Sequence, residues 1–255
     1  MIRDEQFDVD GRASIDVDVR SGQVEIRSGP GGTITVSLDG DDVDEWQVQQ
    51  LGNAITVRPI NRRSWRSRSV RLLAIVPVGS DVDISSASAD AALQGELGCI
   101  RARSASGDVR GETVVRLDAT TASGEIRVHE IRTDATCSTA SGDIEIGRAG
   151  GRLNLSTASG DIRVTHADDD LQVGTASGDV RIGCCDGSTI SVKAITGDVR
   201  LGLPTGIRVE PDISTLSGRT TLPAPSPKPP VDNPRHVRLR LRSVSGNIAI
   251  DRVDS

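Results

Sequence analysis

The chain has 255 residues, 26% of them charged, with 30 Lys and Arg against 36 Asp and Glu for a formal net charge of −6. That modest, mixed balance neither attracts nor excludes a polyanion strongly, and no specific nucleic-acid partner is expected. Aromatic residues are 1% of the chain (Phe7, Trp46 and Trp65), and 27 glycines accompany periodic Val and Ile without any long 3.6-residue pattern. This excludes a helical protein and predicts an all-β one with a narrow aliphatic interior.

Residues 1–80 alternate apolar and polar side chains in SIDVDV, TITVSL, EWQVQ and AITVRP, with GPGG and DGDD between them. These read as short strands, and Leu51-Gly52-Asn53-Ala54 as a hairpin turn. The segment is expected to form irregular β-rich coils or a cap over the open end of a stack. The opening MIRDEQFDVDGR has no apolar signal core, and LLAIVPV at 72–78 is too short to span a bilayer. A cytoplasmic protein with no transmembrane segment is expected. Four cysteines without framework spacing read as reduced thiols.

From residue 81 a tetrapeptide, Ser-Gly-(Asp/Glu)-(Val/Ile) or a close variant, returns with its glycine at 107, 124, 142, 160, 178 and 197, in steps of 17, 18, 18, 18 and 19. Gly218 and Gly246 follow at steps of 21 and 28, and Gly22 in RSGQVEI is an early outlying copy. Apolar residues recur seven and five positions before the glycine (Leu153/Leu155, Leu171/Val173, Ile190/Val192, Leu239/Leu241) and two and four after it (Ile144/Ile146, Ile162/Val164, Val180/Ile182, Val199/Leu201, Ile248/Ile250). Spacing by two marks strands with one buried face. One coil of about 18 residues buries too little to offset roughly 1–2 kcal/mol of backbone entropy per residue, so coils must stack. The fold class expected is a single-stranded parallel β-solenoid over 81–255, with 1–80 as a separate irregular part. Alanine two residues before the glycine (Ala105, Ala122, Ala140, Ala158, Ala176) suggests a tight corner where the wall turns inward; Ile195, Leu216 and Val244 take that place later.

The Pro-rich stretch at 223–236 cannot be solenoid wall, because proline lacks the amide donor, and is expected to protrude. After it, Arg238-Leu-Arg-Leu-Arg242 opens a final coil whose charges would discourage another chain from adding to an exposed edge. A monomer or weak oligomer is therefore expected, although end-to-end stacking into filaments is open to any solenoid.

The repeated TASG(D/E)(I/V)R(V/I) at 121–128, 157–164 and 175–182 resembles the bacterial β-strand-repeat family catalogued as a domain of unknown function and labelled putative adhesin. The resemblance is strong over 81–222 and weak over 1–80. It implies a parallel β-solenoid found in proteins with and without membrane anchors, and it supplies no catalytic residues.

Four constellations invite a chemical reading. Asp90, Asp108, Glu125, Asp143, Asp161, Asp179 and Asp198 form an acidic ladder that would bind cations or a glycan, or else close each turn beside the arginine row two residues on. The turn reading is preferred, because catalysis needs two carboxylates in unlike environments. Rows of Thr (121, 139, 157, 175) and Ser (106, 123, 141, 159, 177) are read as turn-closing hydroxyls rather than a sugar or ice surface. His166, Cys184 and Cys185 fall in adjacent coils and would make a soft metal site, but a variable turn with incidental thiols is preferred, so no metal or cofactor is assigned. Arg62, Arg63, Trp65, Arg66 and Arg68, flanked by Arg58 and Arg71, form a basic loop that would grip phosphates, anionic lipid or an acidic partner; a solvated insertion is the preferred reading, but among surface features this loop is the candidate for docking an unidentified protein or cell-envelope partner. The sequence thus reads as a non-enzymatic scaffold or interaction module that docks through loops breaking the repeat. The alternative is a carbohydrate-binding or carbohydrate-active β-helix protein, which the scarcity of aromatics opposes.

Overall fold

The computed structural model of the chain describes residues 1–41, 43–60, 69–223 and 235–253. They are almost entirely β-strand, in two compact units, Met1–Glu130 and Ile131–Ser255.

The first unit contains β1 (Ile2–Asp8), β2 (Ser14–Gly29), β3 (Thr33–Gly40), β4 (Trp46–Leu51), β5 (Ala54–Pro59), β6 (Ser69–Pro77), β7 (Asp81–Ser104), β8 (Val109–Thr121) and β9 (Ile126–Ile131). β2 is a complete coil wall. It pairs in parallel with β7 on one side and with β5 and β6 on the other, which puts Gly22 level with Ala89 and makes it the early copy the sequence suggests. Its inward residues continue the ladders: Ile15 between Ile55 and Val82, Val24 between Leu72 and Ala91, Ile26 between Ala74 and Leu93. β3 runs antiparallel to β6, and β1 antiparallel to β3. β4 and β5 form the expected hairpin, with Leu51 opposite Ala54 and Gly52 in the left-handed region at φ 61°. Residues 1–80 therefore combine coil wall with an antiparallel cover.

The second unit begins with β10 (Ala135–Thr139), β11 (Ile144–Ala149), β12 (Leu153–Ser159), β13 (Ile162–Ala167), β14 (Leu171–Ser177), β15 (Val180–Cys185), β16 (Thr189–Thr196) and β17 (Val199–Pro204). β18 (Arg208–Ser217), β19 (Thr220–Thr221), β20 (His236–Ser245) and β21 (Ile248–Val253) complete it. All pairings are parallel. One wall is ordered β10-β12-β14-β16-β20-β18, and the other β11-β13-β15-β17-β21-β19. The inward ladders are those read from the sequence: Leu153, Leu171, Ile190 and Leu239, then Leu155, Val173, Val192 and Leu241, each at most 2% exposed.

The order of coils in space departs from their order in the chain. The coil of 236–253 lies between that of 189–204 and that of 208–221. The sequence reading of Arg238–Arg242 as an exposed edge is thus corrected: its arginines are the solvent face of an internal strand. The outer strand is β18, whose inward residues Val209 and Ile213 are only half-buried. The Arg208 N–H donates to the Arg235 carbonyl at 2.9 Å, so even-numbered residues of β18 turn their backbone groups toward β20 and odd-numbered ones toward the open edge. Pro211 stands at one of those odd positions, where its missing N–H interrupts the row another strand would pair with.

The corner glycine is required by close approach. A Cβ on Gly178 would overlap the Gly160 carbonyl, one on Gly246 the Gly197 carbonyl, and one on Gly218 the Gly246 carbonyl. Coils stack so closely at this corner that backbone fills the space of a side chain.

Candidate functional site

The acidic ladder closes the corners. Within each unit the carboxylates accept the backbone N–H of the next residue of the row: Asp108 N–H to Asp90 Oδ1 at 3.0 Å, Asp161 to Asp143 at 2.8 Å, Asp179 to Asp161 at 2.9 Å and Asp198 to Asp179 at 2.9 Å. Asn247 continues the row, donating its N–H to Asp198 Oδ1 at 2.8 Å and accepting from the Arg219 N–H at 3.0 Å. The second oxygen meets the arginine two residues later, as in Arg110 to Asp108 Oδ2 and Arg181 to Asp179 Oδ2, both 2.7 Å. Asp108 and Asp179 thus have both oxygens engaged, and Asp161 meets Arg181 at 3.4 Å with its second. An asparagine in the row shows that the acceptor oxygen, and not the charge, is what the corner needs.

Of the two hydroxyl rows only the threonines are internal; Ser106, Ser123, Ser141, Ser159 and Ser177 are exposed. Thr121, Thr139, Thr157 and Thr175 are 3–6% exposed, and the Gly124 N–H donates to Thr121 Oγ1 at 3.0 Å across the corner. Ser104 does the same for Gly107 at 2.7 Å. The alanine row, by contrast, does not turn inward. Ala105, Ala122, Ala140 and Ala158 are exposed, because the buried threonine one residue earlier already fills the inside of the corner.

His166 lies level with Cys184, and Ala167 with Cys185. Cys185 continues an inward ladder with Ala149 and Ala167 and is fully buried. Burial pushes its thiol up to about 12. Burial also raises the Cys184 thiol, helped by the charges of Asp186 and Asp168. Thiols raised in this way are poor nucleophiles near neutral pH. Asp168 is held by Arg148 at 2.9 Å and Asp186 by Arg235 at 2.7 Å. Among the described residues no three of His, Cys, Asp and Glu are gathered as a metal would require.

The basic-loop residues Arg62, Arg63, Trp65, Arg66 and Arg68 lie outside the described residues, as does most of the Pro-rich stretch. Of the flanking arginines, Arg58 reaches Gln47 Oε1 at 3.4 Å and Arg71 reaches Gln23 Oε1 at 3.3 Å. Phe7 is half-buried and Trp46 is 7% exposed, so neither offers the open ring face on which a sugar stacks.

A polar recess of about 520 Å³ opens in the first unit where β2, β3 and β6 meet, lined by Gln23, Asp39, Gly40, Ser69, Arg71 and Asp90. Arg71 stands between Asp39 and Gln23 in register, and Gln23 between Arg71 and Asp90. Gln23 and Asp39 were not singled out by the sequence reading. The available signal was the pair of glycines, Gly22 and Gly40, that flank the recess and keep its floor low. Its rim at Ser69 is the first described residue after 61–68. Among the described residues no helix is long and apolar enough to cross a membrane.

Residues 13–251 match the family model described as Toastrack DUF4097. No curated protein matches the chain in sequence. Among solved structures, one titled a putative lipid binding protein from Parabacteroides distasonis is similar at TM-score 0.52 and 14% identity, covering 99% of this chain and 96% of that one. A structure titled a putative adhesin from Bacteroides fragilis aligns over 99% of this chain and 97% of its own at 13% identity and TM-score 0.47. At these identities the first likeness is one of fold.

Proposed function

Since the chain belongs to the Toastrack DUF4097 family, we propose that it is a non-enzymatic β-solenoid interaction module that docks a partner where its repeat is broken, around residues 58–71. The observation that carries this reading is the recess at Gln23, Asp39, Arg71 and Asp90, whose rim adjoins the basic loop. Its side chains come from β2, β3, β6 and β7 and carry mixed charge, and Ser69 follows the arginine-rich segment directly in the chain. Along the repeat, Asp143 and Asp161 are engaged at the corners, and Thr121, Thr139, Thr157 and Thr175 are buried.

The test compares the intact protein with a variant replacing Arg62, Arg63, Trp65, Arg66 and Arg68 by Ala, and with an Asp39→Ala/Arg71→Ala variant, in affinity purification from the native organism. Proteins recovered with the intact chain should be lost from both variants while far-UV circular dichroism stays unchanged. Recovery of the same set by all three ends the docking reading.

A further inference from the structure

We propose that the outer coils of the second unit carry a second docking surface, an aliphatic ridge of Ile195, Val244 and Leu216 flanked by cations, whose partner is an anionic lipid bilayer. The three residues occupy one register. Ala194 pairs with Ser243 and Thr196 with Ser245, and Thr215 pairs with Ser243 and Ser217 with Ser245, so Ile195, Val244 and Leu216 stand side by side on adjacent strands about 4.8 Å apart. They are 55%, 47% and 85% exposed. The same outward register in the preceding coils of this unit holds Ala140, Ala158 and Ala176. Packing gives no reason for the change, since nothing inside the coil touches these side chains' solvent face. Three neighbouring large aliphatics in water form a patch that calls for a partner.

Charge selects which partner. The coils of 189–221 and 236–253 hold eight Lys and Arg against four Asp and Glu, a net of +4, while residues 131–188 hold five against nine, a net of −4, in a chain of −6. On the ridge face Lys193 pairs in register with Arg242, directly beside the aliphatic row, and Arg240 lies two residues before Arg242 on the same face. Asp212 sits 3.3 Å from Arg240 and 3.6 Å from Arg242, an exposed arrangement that a competing anion displaces at little cost. Lys193 makes no ion pair among the described residues.

Shape argues in the same direction. The ridge stands two residues before the corner glycine, where the wall bends away, so it is convex. A protein partner would need a matching groove, whereas a bilayer interface yields around inserted aliphatic side chains while lysine and arginine stay at the headgroups. Addition of a second copy through the neighbouring strand edge is opposed by Pro211.

The experiment is co-sedimentation of the full chain with vesicles of phosphatidylcholine alone and of phosphatidylcholine containing one third phosphatidylglycerol. Binding is expected only to the anionic vesicles and should weaken with salt. An Ile195→Ala/Leu216→Ala/Val244→Ala variant restores the residue that earlier coils carry, so it should fold normally and bind about tenfold or more weakly. Lys193→Gln/Arg242→Gln should weaken binding and flatten its salt dependence. Absence of binding to anionic vesicles, equal binding to both vesicles, or unchanged binding of the alanine variant overturns the proposal. Sedimentation velocity supplies the rival outcome: self-association of the intact chain that the alanine variant abolishes would assign the ridge to a second copy instead.

Discussion

The inverted order of the last two coils can be tested by truncating one side chain in each. Leu241 in β20 is fully buried, with Val192 level with it on one side and Ile213 on the other. Leu241→Ala removes it from between two occupied neighbours that cannot close the gap, and should cost about 3 kcal/mol, within the ~2–5 kcal/mol range for such cavities. Ile213 in β18 has a neighbour on one side only and is half-exposed. Ile213→Ala loses part of a burial worth about 1.5–3 kcal/mol when complete, so about 1 kcal/mol is expected. For a chain of this size the melting temperature should fall by about 6–12 °C in the first case and about 2–4 °C in the second. Urea unfolding followed by far-UV circular dichroism reads the free energies, and hydrogen exchange should show slower amides in β20 than in β18. If Ile213→Ala costs as much as Leu241→Ala, or more, then 236–253 is the outer coil and the topology argued above is wrong.

Two further substitutions separate corner structure from surface chemistry. Gly178→Ala places a methyl group into the Gly160 carbonyl at a residue with φ 151°, and should cost about 3 kcal/mol or more in the same unfolding assay; a loss below about 1 kcal/mol would mean the corner relaxes easily. Asp161→Asn keeps the acceptor for the Asp179 N–H and should be nearly neutral, whereas Asp161→Ala should cost about 1 kcal/mol. Equal losses from Asn and Ala would show that charge matters in the ladder, and calcium titration of the intact chain would then become the decisive measurement.

What the sequence made legible is whatever the period repeats. From Gly124 to Gly197, positions seven and five before the glycine and two and four after it are buried because a fixed coil length keeps one residue type facing inward at every level, and even Gly22 could be placed by it. Coil order was not legible, since steps of 21 and 28 residues look like lengthened coils and carry no label saying which one skips a level. A signal was nevertheless present. The inward row of β18 is Val209, Pro211, Ile213 and Thr215, against Val237, Leu239, Leu241 and Ser243 in β20. Proline in that row belongs to an edge strand, while Arg238-Leu-Arg-Leu-Arg242 is what any internal strand with one wet face looks like. The recess was hidden for a different reason: Asp39, Arg71 and Gln23 are brought together by antiparallel pairing of β3 with β6, which lies outside the period.

The exposed ridge shows how a repeat can conceal a surface in plain view. At the position two residues before the glycine, alanine satisfies every structural demand, as Ala140, Ala158 and Ala176 demonstrate. Replacing it by isoleucine, valine and leucine on three neighbouring strands adds nothing to the core, because the buried position is already taken by the residue one earlier, such as Ala194 or Ser243. In water the change only enlarges an apolar patch, which costs solubility. The same three coils reverse the sign of the local charge. The aliphatic row and the cations Lys193, Arg240 and Arg242 beside it on the same face are better explained by a common partner than by two independent accidents, and the alanine variant removes the first without disturbing the second.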